Sequence, residues 1–193
     1  MTSERHPELA VVKVGGALAT KPELLPRLGE ALLRASRRHR LVVVPGGGPF
    51  ADQVRAFDRT NKLSADAAHW MAILGMDQYA FALCEVISES RLVDDRAGML
   101  AAHAEGRVPV LAPARWLRAT DELPHTWDVT SDSLAAYLAT LLGADQLVLI
   151  KPVAGGAELV DPWFLRTLPA GIRWSVLAIG EIGRLDEVLG KVG

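Results

Sequence analysis

Two short apolar runs in this chain each end directly in a glycine cluster: Leu9-Ala10-Val11-Val12-Lys13-Val14-Gly15-Gly16 and Leu41-Val42-Val43-Val44-Pro45-Gly46-Gly47-Gly48. β-Branched runs stopped by glycine read as buried strands, and a helix-like segment follows each cluster. A strand, a glycine turn and a helix, used twice, restrict the chain to few folds. Glycine bares backbone N–H groups at the carboxyl edge of a strand, and the next helix N-terminus adds partial positive charge. One such turn is common. Two of them, with Lys13 inside the first, suit a site that holds a chain of phosphates.

The remaining pattern extends this alternation. Residues 22–38 read as a helix, with Pro22 in its first turn and Leu24, Leu25, Leu28, Leu32 and Ala35 along one stripe. A short helix is expected over 49–59. Ser64 can cap a long helix from about 65 to 90, whose apolar residues spread over more than one face. A helix that apolar is expected partly in the core and partly covered by another subunit, giving a homo-oligomer. Then come a helix over 98–105, a strand over 108–111, a brief helix or turn over 113–118, and a helix over 130–142 with Gly143 at its C-cap. A buried strand over 146–150 leads into residues 152–171, read as loop with room for a hairpin. A strand over 174–179 and a short helix over 183–190 complete the chain. The expected fold class is α/β: a three-layer α/β/α sandwich with an open, mainly parallel sheet, in a single domain over 1–193. Ligands of such sheets bind at the carboxyl ends of the strands.

Composition narrows the function classes. Half of the 193 residues are hydrophobic, enough for a large core. A net charge of -2 gives no reason to expect nucleic acid as a partner. Arg34, Arg37, Arg38 and Arg40 form the one basic run, and it closes a helix, where cations meet the negative dipole end. The single cysteine, Cys84, excludes an intrachain disulfide. No apolar run approaches the ~20 residues of a membrane span, and no apolar leader opens the chain, so a cytoplasmic protein is expected. His6, His39, His69, His103 and His125 lack ligand spacing, so no metal-ligating side chain is assigned.

The P-loop pattern is absent, and so is the dinucleotide pattern G-x-G-x-x-G at both turns. The nucleophile elbow G-x-S-x-G is absent too. Lys13 sits in a strand expected to be buried, where an ammonium is costly without a counter-charge. It either snorkels to water or stands beside transferring phosphate oxygens. Lys151 follows the strand Leu147-Val148-Leu149-Ile150 and ends at the same rim. Gly46, Gly47 and Gly48 make a side-chain-free cradle. Arg55, two turns into the next helix, can reach an anionic group or pair with a surface acid. In His125-Thr126-Trp127-Asp128-Val129-Thr130-Ser131-Asp132-Ser133, Thr130 or Ser131 serves as a cap. Asp132 can orient Lys13 or hold Mg²⁺. Trp127 is either a pocket wall or core.

Taken together, these residues resemble the amino acid kinase family, also described as the aspartate, glutamate and uridylate kinase family. The likeness rests on Val12-Lys13-Val14-Gly15-Gly16, on Val44-Pro45-Gly46-Gly47-Gly48, and on Thr130-Ser131-Asp132-Ser133-Leu134-Ala135-Ala136 before Gly143-Ala144-Asp145. It implies ATP and Mg²⁺, with transfer of the γ-phosphoryl group to an oxygen of a small acceptor. By this likeness Lys13 stabilises the transferring group, Gly15 and Gly16 donate N–H bonds to phosphate oxygens, and Asp132 organises the lysines. Lys151 would stand in for a lysine that family members usually carry in a longer C-terminal part; here residues 152–193 are a shortened nucleotide side. Gly46, Gly47, Gly48, Arg55, Trp127, Asp128 and Thr130 would shape the acceptor side. Within the family the chain is most similar to the short branch of aminomethylfuran phosphate kinases of methanofuran biosynthesis. That likeness implies a phosphate monoester as acceptor, a diphosphate as product, and a setting in one-carbon cofactor biosynthesis. The alternatives are a non-catalytic anion-binding homologue and a carboxylate (amino acid) kinase.

Overall fold

The computed structural model describes residues 8–190. In chain order the elements are β1 (Leu9–Val14), α1 (Leu25–Ser36), β2 (Arg40–Pro45), α2 (Gly48–Asn61), α3 (Ala65–Val86), β3 (Ser90–Val93), α4 (Arg96–Ala104), β4 (Val108–Leu111), α5 (Ala114–Thr120), α6 (Ser131–Leu142), β5 (Gln146–Lys151), α7 (Phe164–Thr167), β6 (Arg173–Ala178) and α8 (Leu185–Leu189). The six strands form one sheet in the order β3-β4-β2-β1-β5-β6, and every pair is parallel. Among the described residues no helix is long and apolar enough to cross a membrane.

Strand periodicity divides the core. Ala10, Val12 and Val14 of β1 face one cluster with Leu28 and Leu32 of α1 and Leu83 of α3. Leu9 and Val11 face the other, with Leu134, Ala135 and Leu138 of α6 and Met99 of α4. A strand residue shares its face with those two positions away. Lys13 therefore points with Leu9 and Val11 toward α6. By the same rule Lys151 follows Leu147 and Leu149 to that face. The register sets Lys13 beside Leu149, so the two lysines come from adjacent strands at the carboxyl edge. The order of strands reverses direction at β1, the place where open α/β sheets hold ligands.

Three expectations need correction. The long helix stops at Val86, not near residue 90: Ile87 is extended, Glu89 adopts a left-handed φ of 57°, and β3 begins at Ser90. The two apolar residues of β3, Leu92 and Val93, are too short a run to stand apart from the helical pattern before them. Residues 152–171 hold no hairpin but a 3-10 turn at Ala157–Leu159 and α7. The first helical region begins as 3-10 turns at Gly16–Thr20 and Pro22–Leu24, and its α-helix ends at Ser36.

Candidate active site

Lys13 is buried, 3% exposed, in the central strand, so its ammonium needs a counter-charge close by. Asp132 supplies it from the first turn of α6: Lys13 Nζ donates to Oδ1 at 2.8 Å. The second carboxylate oxygen accepts from Lys151 Nζ at 2.7 Å, and Lys151 also donates to the Leu159 carbonyl at 2.7 Å. Burial pulls the Lys13 ammonium below the ordinary lysine value, and the charge of Lys151 adds to this against the attraction of Asp132. Burial works to raise the Asp132 carboxyl, but the two ammonium groups outweigh it and hold it below the usual carboxylate range. Two cations share the one anion between them, and the charge of Asp161 also acts on Lys13. Asp132 is held between two ammonium groups, so it orients the lysines, and their positive charge disfavours Mg²⁺ at its oxygens.

Asp161, which the sequence did not single out, fixes the start of α6. It accepts from the Thr130 and Ser133 amides, the Thr130 and Ser133 hydroxyls and the Trp163 amide. Thr130 itself makes no side-chain cap. Capping thus comes from a loop more than two dozen residues away, which ties the post-β5 segment to the helix that carries Asp132.

The glycine turns meet each other. A Cβ on Gly16 would lie 2.3 Å from the Gly48 nitrogen, so the backbones touch only because side chains are missing. Gly15 donates its N–H to the Ile150 carbonyl at 2.8 Å, and Gly46 donates to Val14 at 2.8 Å. The expectation that Gly15 offers its N–H to phosphate is therefore corrected: that donor joins β1 to β5. Gly48, at φ 54°, opens α2.

Beside these turns lies a cavity of about 670 Å³, lined by Gly16, Gly47, Gly48, Arg55, Trp127, Thr130 and Ser131 among others. The N-termini of α2 and α6 both open on it, and their dipoles favour an anion there. Ser131 and Gly16 line the cavity, one residue from Asp132 and three from Lys13 along the chain, while Lys13, Asp132 and Lys151 are themselves not among the lining residues. Arg55 lies over the Trp127 ring, 4.6 Å from its centroid, and donates to Asp52 at 3.1 Å. Trp127 is thus a wall, with its Nε1 donating to Asp58 at 2.8 Å. Thr130 reaches the cavity, though its hydroxyl proton is directed at Asp161. Asp128 is exposed and is not among the lining residues, so the structure does not bring it to the site. Asp58 and His69 do line the cavity. Asp58 lies within the second glycine-helix unit, and only its place on the cavity-facing side of α2 distinguishes it from other surface acids.

The sequence profile of the amino acid kinase family matches residues 8–155. The chain is 29% identical over 145 residues to the [5-(aminomethyl)furan-3-yl]methyl phosphate kinase of Methanocaldococcus jannaschii, covering 75% of this chain and 66% of that enzyme. Two solved structures share the fold. Uridylate kinase from Archaeoglobus fulgidus superposes with a TM-score of 0.72 at 15% identity, over 96% of this chain and 97% of that one. UMP kinase from Ureaplasma parvum gives a TM-score of 0.72 at 14% identity, over 97% of each chain.

Proposed function

This chain belongs to the amino acid kinase family, and we propose that it is a small-molecule kinase that moves the γ-phosphoryl group of ATP to a phosphate monoester. The observation that carries this reading is the pair Lys13 and Lys151 on the two oxygens of Asp132, in the same strand-end and helix-start segments whose Gly16 and Ser131 line the cavity. In the reaction an acceptor phosphate oxygen attacks the γ-phosphorus, a new P–O bond forms, and the bond to the β–γ bridging oxygen breaks to release ADP. Charge gathers on the oxygens around the moving phosphorus. Lys13 and Lys151 meet that charge with ammonium groups already oriented, so little rearrangement is needed at the moment of transfer. Mg²⁺, when bound with ATP, neutralises phosphate charge; its ligands here would be phosphate oxygens and water, since Asp132 is engaged by lysines.

At the lysine centre itself both carboxylates are held, Asp132 by two ammonium groups and Asp161 by five donors, so neither is placed to take a proton from a hydroxyl acceptor. An acceptor that is already anionic needs no base. The α2 N-terminus at the glycine turns suits a phosphate dianion. The methanogen relative is named for such an acceptor, an aminomethylfuran methyl phosphate, and the corresponding product is a diphosphate. We also infer a homo-oligomer, because Leu74 and Phe81 of α3 are 43% and 62% exposed and lie seven residues apart on one stripe.

The test is ADP release from Mg-ATP with a panel of phosphorylated and carboxylated acceptors. Turnover is expected with phosphate monoesters and should fall about 10²- to 10³-fold in Lys13→Ala. Background ADP with every acceptor, or turnover indifferent to Lys13→Ala and Asp132→Asn, overturns the kinase reading. Turnover confined to carboxylates replaces the acceptor class.

A further inference from the structure

Asp58 is a carboxylate in the cavity wall with no cationic partner among the described residues. Its Oδ1 accepts from the Leu63 amide at 3.0 Å and its Oδ2 from Trp127 Nε1 at 2.8 Å. Neither donor carries a charge. The cations that line the same cavity are engaged elsewhere: Arg55 with Asp52 at 3.1 Å, and His125 with Asp66 at 2.6 Å and Asp121 at 2.8 Å. Asp58 and Arg55 stand three residues apart on α2, where opposite charges commonly pair. Here Trp127 holds them separately, with Arg55 over its ring and Asp58 at its Nε1. The cavity thus presents a positive and a negative group that do not neutralise each other.

The wall between the glycine turns and Asp58 is apolar and made largely of short side chains. Ala65, Ala68 and Ala72 line it from α3, with Ile73 and Met76 beyond. Along α2, Gly48 and Asp58 are separated by about 15 Å at the helical rise. Hydrogen-bond reach of about 3 Å at each end, together with the side chain of Asp58, leaves room for one small ring with a short arm on either side. A ligand that ends in an anion at the glycine turns would place its opposite end at Asp58.

We propose that Asp58 selects acceptors that carry a primary ammonium group at the end remote from the phosphate, so that the pocket reads a zwitterion. The assignment rests on the phosphate-acceptor reading above. A carboxylate held by two neutral donors keeps lone pairs free for an ammonium and gains a charge-assisted bond from it. Trp127 acts as a positioning residue that keeps the carboxylate in the cavity and Arg55 away from it.

The experiment compares [5-(aminomethyl)furan-3-yl]methyl phosphate with (5-methylfuran-3-yl)methyl phosphate, using both calorimetric binding and turnover. Wild-type protein should bind the amine about 10- to 100-fold more tightly. Asp58→Asn, a near-isosteric change, should remove that preference and leave binding of the methyl analogue unchanged. Trp127→Phe, which keeps the ring and the carboxylate, should lessen the preference without abolishing it. Equal binding of both compounds by wild-type protein, or an Asp58→Asn loss that is the same for both, overturns the assignment. The two readouts separate this inference from the kinase reading. A binding preference that depends on Asp58, in a protein with no turnover, supports Asp58 and overturns the kinase. Turnover of both compounds with no preference does the reverse.

Discussion

Gly16 and Gly48 lie backbone against backbone, so that the two glycine turns form a single structure. The close approach sets the first turn, with Lys13 three residues before Gly16, against the start of α2. A methyl group on Gly16 would stand 2.3 Å from the Gly48 nitrogen and 2.7 Å from its Cα, and backbone on both sides cannot rotate away. Gly16→Ala is expected to lower stability by about 1–3 kcal/mol, as overpacking does, and to weaken acceptor binding by parting the turns. Gly106→Ala serves as a control, since nothing lies within 4 Å of its added Cβ, though its φ of 69° still carries some strain. Urea denaturation compares the two. A Gly16→Ala protein as stable as wild type would show that the turns are not mutually dependent.

Asp132 and Lys13 should differ in what their loss does to folding. Asp132→Asn removes the one anion that touches both ammonium groups, at 2.8 and 2.7 Å. Breaking a buried pair from the side that leaves charge unpaired costs about 3–5 kcal/mol. Lys13→Met leaves Asp132 paired with Lys151 and fills the same space with an apolar chain, so its cost should be clearly smaller. Both variants should lose phosphoryl transfer. Stability curves alongside activity decide the matter: equal destabilisation by the two would mean that Asp132 does not anchor both lysines.

How far the sequence exposed this arrangement depended on the range of the signal. Strand β1, strand β2 and the glycine turns are local patterns, and periodicity alone places Lys13 and Lys151 on one face once the register is known. Lys13, Lys151 and Asp132 could be named because each sits at a recognisable boundary of an element. Asp161 was not legible, since the amides that donate to it lie at the start of α6, 28 and 31 residues away, and its own surroundings look like an ordinary proline-containing loop. Strand β3 was lost for a different reason: its four residues, two polar and two apolar, are too few to show a strand period, and only three residues separate them from the end of α3, the left-handed Glu89 among them. Gly15 was misread because a glycine N–H at a strand end suits either a ligand or a neighbouring strand, and only the pairing with β5 decides between them.

His69 and His125 are expected to titrate on opposite sides of the ordinary histidine value. Their rings stack at 4.0 Å. Burial lowers His69 to about 4, and the charge on His125 adds to this. Burial works against the charge on His125 as well, but the hydrogen bonds and charges of Asp121 and Asp66 outweigh it and raise the imidazole. Both His125 nitrogens face a carboxylate oxygen, and only the cation can donate to both. For His125 the folded value lies above the unfolded one, so its stabilisation is complete below about pH 6.5 and is lost as pH rises through the folded value. For His69 the folded value is lower, so stability falls as pH drops from about 6.5 toward 4. NMR titration of the two ring signals tests this directly. Two curves centred near 6.5 would show that the stack does not couple them.

The stripe on α3 carries the expectation of self-association. Leu74 and Phe81 are exposed while Ile73, Met76, Tyr79, Ala80 and Leu83 of the same helix are buried, so the helix has satisfied the core and still presents apolar surface. Leu74 and Phe81 lie on one stripe with Asp77 and Gln78 between them, and a second copy of the same stripe is its simplest self-complementary partner. The length of α3, 22 residues, gives such a stripe room to pair along its outer face. Leu74→Glu with Phe81→Glu places charges on the stripe without touching a buried position. Light scattering should find an assembly for wild type at micromolar concentration and a monomer for the double variant, with the fold retained by circular dichroism. A wild-type monomer would leave the stripe as plain solvent-facing surface and end the case for an oligomer.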